Sequence, residues 1–147
     1  MVIFLDTYIF EYAQGKVSMY KNPCLTILQA VLDGKVISYT DTEVFQEVWY
    51  RHYKKDKDKG VGLLEDTLKI VKPDTILPVT CHDVILAIEF GKKYGNIIEP
   101  RDALHLAVMV SNKINIICSV DKGIKQIKEI TVIDPVNLVK QLKKGIK

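Results

Sequence analysis

Four carboxylates occupy places in this chain where side chains commonly do chemistry: Asp6, Glu47, Asp102 and Asp121. Asp6 directly follows the apolar run Val2 to Leu5, and Asp121 comes just after the apolar run ending at Cys118. In an open α/β sheet, ligands bind off the carboxyl ends of the strands, so both acids belong to such a crevice. Asp102 falls in the first turn of a helix opened by Pro100, and Glu47 lies on an amphipathic helical stretch. Each has an ordinary reading when taken alone. Asp6 and Asp121 can be N-caps, Asp102 can complement a helix dipole, and Glu47 can pair with Arg51 one turn on. Glu43 and Glu47 form a like-charge pair at that same spacing, which argues mildly that Glu47 is directed elsewhere. Brought together about 5 Å apart, such carboxylates would repel by roughly 3 kcal/mol per pair at an effective dielectric near 20. Phe4, Leu5, Thr7 and Tyr8 flank Asp6 without a basic residue, so a bound cation is the simpler compensation. An all-oxygen set selects magnesium or manganese over zinc.

The elements that must position these acids read as alternating strands and helices. Val2 to Leu5 is a strand, followed by a short helix over Tyr8 to Ala13 that ends near Gly15. Asn22-Pro23 opens a helix to Leu32 whose inward side is Leu25, Leu28, Val31 and Leu32, with Gly34 as its stop. A second strand, Val36 to Tyr39, runs into Thr40-Asp41-Thr42-Glu43, which matches a capping box with Thr40 as N-cap. The helix it launches runs to about Lys54, with Val44, Phe45, Val48, Trp49 and Tyr53 as the core face. The mixed-charge run Lys54 to Lys59 is a solvated hinge before a helix over Val61 to Val71. Pro78 makes Thr75 to Val79 an edge strand, because proline cannot donate to a central ladder. Thr80 to Asp83 is a second capping box, and its helix ends at Gly95. The helix from Pro100 carries Lys113 in its last turn, and Ile114 to Cys118 is a buried strand. A short helix near Gly123 to Ile127, a weak strand Thr131 to Ile133 and a helix from about Pro135 complete the chain. The spacing is that of parallel crossovers. It predicts an α/β fold, three layers with a central parallel sheet, in one domain over residues 1–147.

Composition narrows the function classes. The net charge of +3 is too small to indicate a polyanion partner by itself. Cys24, Cys81 and Cys118 are odd in number and widely spaced in apolar sequence, which supports neither a disulfide framework nor a zinc site. A reducing cytoplasm is the expected setting, with no signal peptide and no membrane span. A dinucleotide-binding turn would need glycines where Asp6-Thr7-Tyr8-Ile9 stands. A dehalogenase-type phosphatase would want a second acid at the position of Tyr8. A receiver-type signalling domain would want an acidic pair at the first strand and an aspartate after the third, whereas Asp41 follows the second. His105, one turn after Asp102, reads as a packed, hydrogen-bonded histidine.

At the four acids the chain resembles a PIN-domain nuclease of the kind found among VapC-like toxins. The resemblance is carried by the opening strand ending in Asp6-Thr7, by TEVFQEVWYR around Glu47, by RDALHLA around Asp102, and by SVD ending at Asp121. Ile133-Asp134-Pro135 looks like the family's last strand and turn. The resemblance implies a sheet ordered 3-2-1-4-5, in agreement with Pro78 at an edge, and it makes Asp6 and Asp121 neighbours. It further implies a Mg2+- or Mn2+-dependent endoribonuclease leaving a 3′-hydroxyl and a 5′-phosphate. Asp6, Asp102 and Asp121 would be the metal ligands, directly or through water, and Glu47 a ligand or the orienter of the attacking water. Thr7 and Ser119 are then weak candidates for bonding the ligand carboxylates, and Arg101, Lys122 and Lys125 for phosphate contact. Ile124 and Lys125 stand where many relatives carry phenylalanine and then another acid, which puts a second metal site in doubt. The partners implied are RNA, a small antitoxin and a second copy of the chain as homodimer. A non-catalytic RNA- or protein-binding module on the same fold is the alternative.

Overall fold

The computed structural model describes residues 1–145, so the last two positions of the expected 1–147 domain, Ile146 and Lys147, lie outside the described residues. The sheet is built from β1 (Val2–Leu5), β2 (Ile37–Asp41), β3 (Ile76–Leu77), β4 (Ile116–Cys118) and β5 (Thr131–Ile133). All four pairings are parallel and the order is β3-β2-β1-β4-β5. This is the expected α/β/α arrangement and strand order. Ile3, Phe4 and Leu5 have no exposed surface, as a strand paired on both edges and covered on both faces requires. β3 is the short edge strand, and Pro78 stands just beyond it, where no ladder donor is needed.

The chain leaves β1 toward β2 on one side and reaches β4 on the other, so the switch point of the sheet falls between β1 and β4. Asp6 and Ser119 follow these two strands directly, and the Asp6 amide donates to the Cys118 carbonyl at 3.3 Å. Helices α1 (Thr7–Gln14), α2 (Lys21–Leu32), α3 (Thr42–Tyr53), α4 (Lys57–Ile70), α5 (Cys81–Tyr94), α6 (Pro100–Ser111) and α7 (Pro135–Lys143) cover the sheet. Closest packing pairs α5 with α6, α3 with α4, and α1 and α7 with α2. The expected short helix near Gly123 is a single 3-10 turn, Ile124–Gln126.

Several local expectations are corrected by packing. α2 buries Cys24, Ile27 and Leu28, while Leu25 and Leu32 face outward. The buried face has spacing i, i+3, i+4 and is rotated off the expected face of Leu25, Leu28, Val31 and Leu32. The box at Thr40 does not form. Asp41 caps α3 by accepting from the Val44 amide at 3.0 Å, and the buried Thr40 hydroxyl donates to the Leu5 carbonyl instead. β2 therefore ends two residues later than expected, because Thr40 and Asp41 pair with β3. On α3, Val44 and Val48 are buried, but Trp49 and Tyr53 are half exposed, so the aromatic stripe is not core. α4 crosses there so closely that a Cβ on Gly60 would lie 3.1 Å from the Cβ of His52 and 3.6 Å from Trp49. α6 stops at Ser111, and Lys113 takes a left-handed turn with φ 58° instead of continuing the helix. The Thr80–Asp83 capping box is present as expected.

Candidate active site

Off the carboxyl ends of β1 and β4 opens a polar crevice lined by Asp6, Glu47, Asp102 and Asp121, together with Tyr8, Arg51, Glu99, Arg101 and Lys122. The four acids singled out from sequence thus meet in one place, coming from the ends of two strands and from two helices. Lys125 is exposed outside this lining.

Each acid is held by its local structure. Asp6 is the N-cap of α1, with one oxygen accepting from the Thr7 amide at 2.8 Å and the other from the Ser119 hydroxyl at 2.5 Å. That serine hydroxyl also accepts from the Asp121 amide at 3.0 Å, so one side chain spaces the acids after β1 and β4. Asp121 Oδ1 caps the following turn, accepting from the amides of Gly123 and Ile124 at 2.7 and 3.0 Å. Glycine is required at 123: a Cβ there would sit 2.1 Å from the Ile97 carbonyl oxygen and 3.1 Å from Asp121 Oδ1. Asp102, third residue of α6, accepts from the Glu99 amide at 2.9 Å. Asp102 Oδ1 and Asp121 Oδ2 accept no hydrogen bond among the described residues.

Glu47 is treated differently. One oxygen takes a 2.6 Å bond from Arg51 and lies 3.7 Å from Arg101; the other takes a 2.6 Å bond from the Thr7 hydroxyl and lies 3.5 Å from His105 Nε2. The Arg51 pairing that the sequence allowed for Glu47 is therefore made, although Glu47 also faces the crevice. Arg51 also bonds Glu11 at 2.9 Å and lies over the Tyr8 ring at 4.6 Å. His105 is fully buried against Phe4, with Nδ1 2.8 Å from Asp41. The absence of basic neighbours around Asp6 in sequence misled: Arg51, Arg101 and His105 bring positive charge to the crevice from elsewhere in the chain. Nothing local marked Asp41 or His105 as a pair, although Asp41 ends β2 as Asp6 ends β1.

These environments push the carboxyls apart. Burial raises Glu47, but hydrogen bonds from His105, Thr7 and Arg51 more than reverse this and bring it down to about 2. Burial and the charges of Asp121 and Asp6 push Asp102 up to about 6, against the bond from the Glu99 amide. Asp6 is raised by burial and held back by His105, Ser119 and Thr7. His105 is raised well above the ordinary imidazole value because Asp41 and Glu47 outweigh its burial.

The donor set fits a hard divalent cation. Asp102 and Asp121 each present an uncommitted oxygen in a crevice shared with Asp6, and among the described residues no soft ligand lines it. Among the described residues no three His, Cys, Asp or Glu side chains are grouped so as to hold a metal ion unaided. Arg101 Nη1 is buried without a hydrogen-bond partner, a donor left over at the edge of the crevice.

Comparison with known proteins agrees with the geometry. The PIN domain family profile matches residues 3–130. A VapC ribonuclease of Mycobacterium bovis is 30% identical over 122 residues, covering 83% of this chain and 92% of that protein. The crystal structure of VapBC2 from Rickettsia felis bound to a DNA fragment from their promoter matches with TM-score 0.68 at 19% identity, over 91% of this chain and 98% of that one. A toxin-antitoxin complex from Klebsiella pneumoniae matches with TM-score 0.62 at 14% identity, over 90% and 97%. The matched span runs from within β1 to the residue before β5 and takes in all four acids, and on these grounds the chain belongs to the PIN-domain family.

Proposed function

We propose that this chain is a divalent-metal-dependent endoribonuclease acting as the toxin of a toxin-antitoxin pair. The observation that carries it is the convergence of Asp6, Asp102 and Asp121 on one crevice, with Asp102 raised by burial and by its two acidic neighbours. A part-buried carboxyl pushed up to about 6 by burial and, beyond that, by the charges of Asp121 and Asp6 is a site short of positive charge, and Mg2+ or Mn2+ would supply it. Likeness to a VapC ribonuclease over most of the chain supports the choice of RNA as substrate. Residues 1–147 act as one domain in this reading, in the cytoplasm, with a small antitoxin as partner and a second copy as homodimer. No helix of the described residues is long and apolar enough to cross a membrane.

Asp102 and Asp121 would hold the ion by their free oxygens, with Asp6 as the third carboxylate, either directly or through water. A bound divalent ion supplies Lewis acidity toward water and toward the phosphoryl oxygens. Glu47, held on all sides and ionised at neutral pH, keeps an acceptor at the crevice that orients the attacking water rather than ligating. Thr7 and Ser119 fix the carboxylates by donating to Glu47 and Asp6. Arg101, with its unpartnered donor, and Lys122 receive the substrate phosphate. Lys125, which points outside the lining, takes at most a distant part. Cleavage of single-stranded RNA with Mg2+, with chelator, and by Asp102→Asn tests the assignment. Cleavage that survives both chelator and the substitution would overturn the metal and Asp102 assignments, and no cleavage under any condition would leave the non-catalytic binding module.

A further inference from the structure

The buried triad Asp41, His105 and Glu47 is not explained by metal binding. His105 stands on α6, one turn beyond Asp102, and has no exposed surface. Its Nδ1 lies 2.8 Å from Asp41 Oδ2 and its Nε2 3.5 Å from Glu47 Oε2. Asp41 uses its other oxygen to cap α3, the helix that carries Glu47. A single imidazole therefore touches α3 at its start and again at Glu47, while its own helix carries Asp102.

We propose that His105 is a positioning residue, a cross-brace that fixes Glu47 relative to Asp102 by bridging α6 to both Asp41 and Glu47. The proposal rests on the nuclease reading for what is positioned, but the brace itself is a matter of contacts. Three features argue against simple filling of space. A buried imidazole with both nitrogens facing carboxylates is a polar group placed where an aliphatic side chain would fit against Phe4. Asp41 is itself fully buried, and its second oxygen has His105 as partner, so the two polar groups satisfy one another. The Glu47 oxygen that faces His105 also takes the Thr7 hydroxyl, and Thr7 follows Asp6. The brace thus links three of the four segments that supply the acids, the end of β1, α3 and α6, and ties them to the end of β2 through Asp41. Mutating groups that orient active-site side chains commonly costs roughly 10- to 100-fold in activity.

The test has two readouts on the full chain. Ring-nitrogen NMR of His105 reports the contacts without any turnover. Glu47→Gln should move the Nε2 resonance and leave Nδ1, whereas Asp41→Asn should move Nδ1; an unmoved Nε2 in Glu47→Gln overturns the brace. In Mg2+-dependent cleavage, His105→Leu should lower kcat roughly 10- to 100-fold, with KM unchanged within about twofold. If His105 acts through Glu47, the same change in a Glu47→Gln background costs under about twofold more, because the two act as one unit. Full additivity overturns the proposal. Should His105→Leu not fold, His105→Gln carries the same cycle. A wild-type chain without chelator-sensitive cleavage would sink the nuclease reading and leave the resonance test to decide the brace.

Discussion

The two sides of one crevice treat their carboxylates in opposite ways. On the α3 side, Glu47 is gripped by Thr7, Arg51 and His105 and is held down to about 2. On the α6 side, Asp102 has one backbone amide for support, faces Asp121 and Asp6, and is pushed up to about 6. Both groups are largely buried, so burial alone does not separate them. Partners do. A compensated acid is a fixed structural element, and an uncompensated one is an unfilled demand for positive charge. In the proposed reading the metal would accordingly be held on the Asp102 side, and Glu47 would orient the water.

The largest expected effect breaks the needy side. Asp102→Asn should lower Mg2+-dependent cleavage by about 100-fold or more, measured as initial rates on single-stranded RNA. The same substitution should stabilise the metal-free protein at pH 7 by about 1 kcal/mol after allowance for the water-facing part of the carboxyl, or ~3 °C in melting temperature. A melting temperature that falls instead would mean Asp102 is not under repulsion.

Next comes the gripped side. Arg51→Met removes the 2.6 Å bond to Glu47 and the 2.9 Å bond to Glu11, and should cost about 2 kcal/mol in denaturant unfolding. No loss of stability would show that Glu47 needs no such grip. Gly123→Ala tests the loop that aims Asp121. The Cβ would collide with the Ile97 carbonyl, so kcat should drop about tenfold while the fold persists by circular dichroism.

The comparison can be sharpened by pH. The Asp102 carboxyl is raised from 3.8 to about 6 in the folded chain, so that state binds the proton more tightly than the unfolded one. Its contribution to metal-free stability is present below pH 3.8 and is lost as pH rises toward 6. Mg2+ affinity should rise over the upper part of this window, since the ion takes the ionised form. Calorimetric titrations at pH 5 and pH 7 that give equal affinity would refute it. The smallest effect is expected outside the crevice, where Lys125→Ala should change KM for RNA by less than about twofold, against a larger change for Arg101→Ala.

Sequence reading succeeded where the cause is local or one-dimensional. The Thr80–Asp83 box closes over three residues, and Pro78 excludes itself from a central strand whatever surrounds it. Asp6 follows β1 and caps α1 as its neighbours require. The failures came where two competent residues adjoin or a distant element intervenes. Thr40 and Asp41 can both cap a helix, and the choice fell to Asp41 because the Leu5 carbonyl claims the Thr40 hydroxyl from the adjacent strand. Trp49 and Tyr53 have core spacing but lie half exposed, because only part of α3 faces the sheet.

The chain by itself determined the order of strands and helices, the edge at Pro78 and the four acids at element ends, since these follow from periodicity, backbone chemistry and chain direction. Only the tertiary structure decided which acid is satisfied and which is left wanting. Arg51, Arg101 and His105 are far from Asp6 along the polypeptide, and electrostatic energy depends on separation in space, not on the number of residues between.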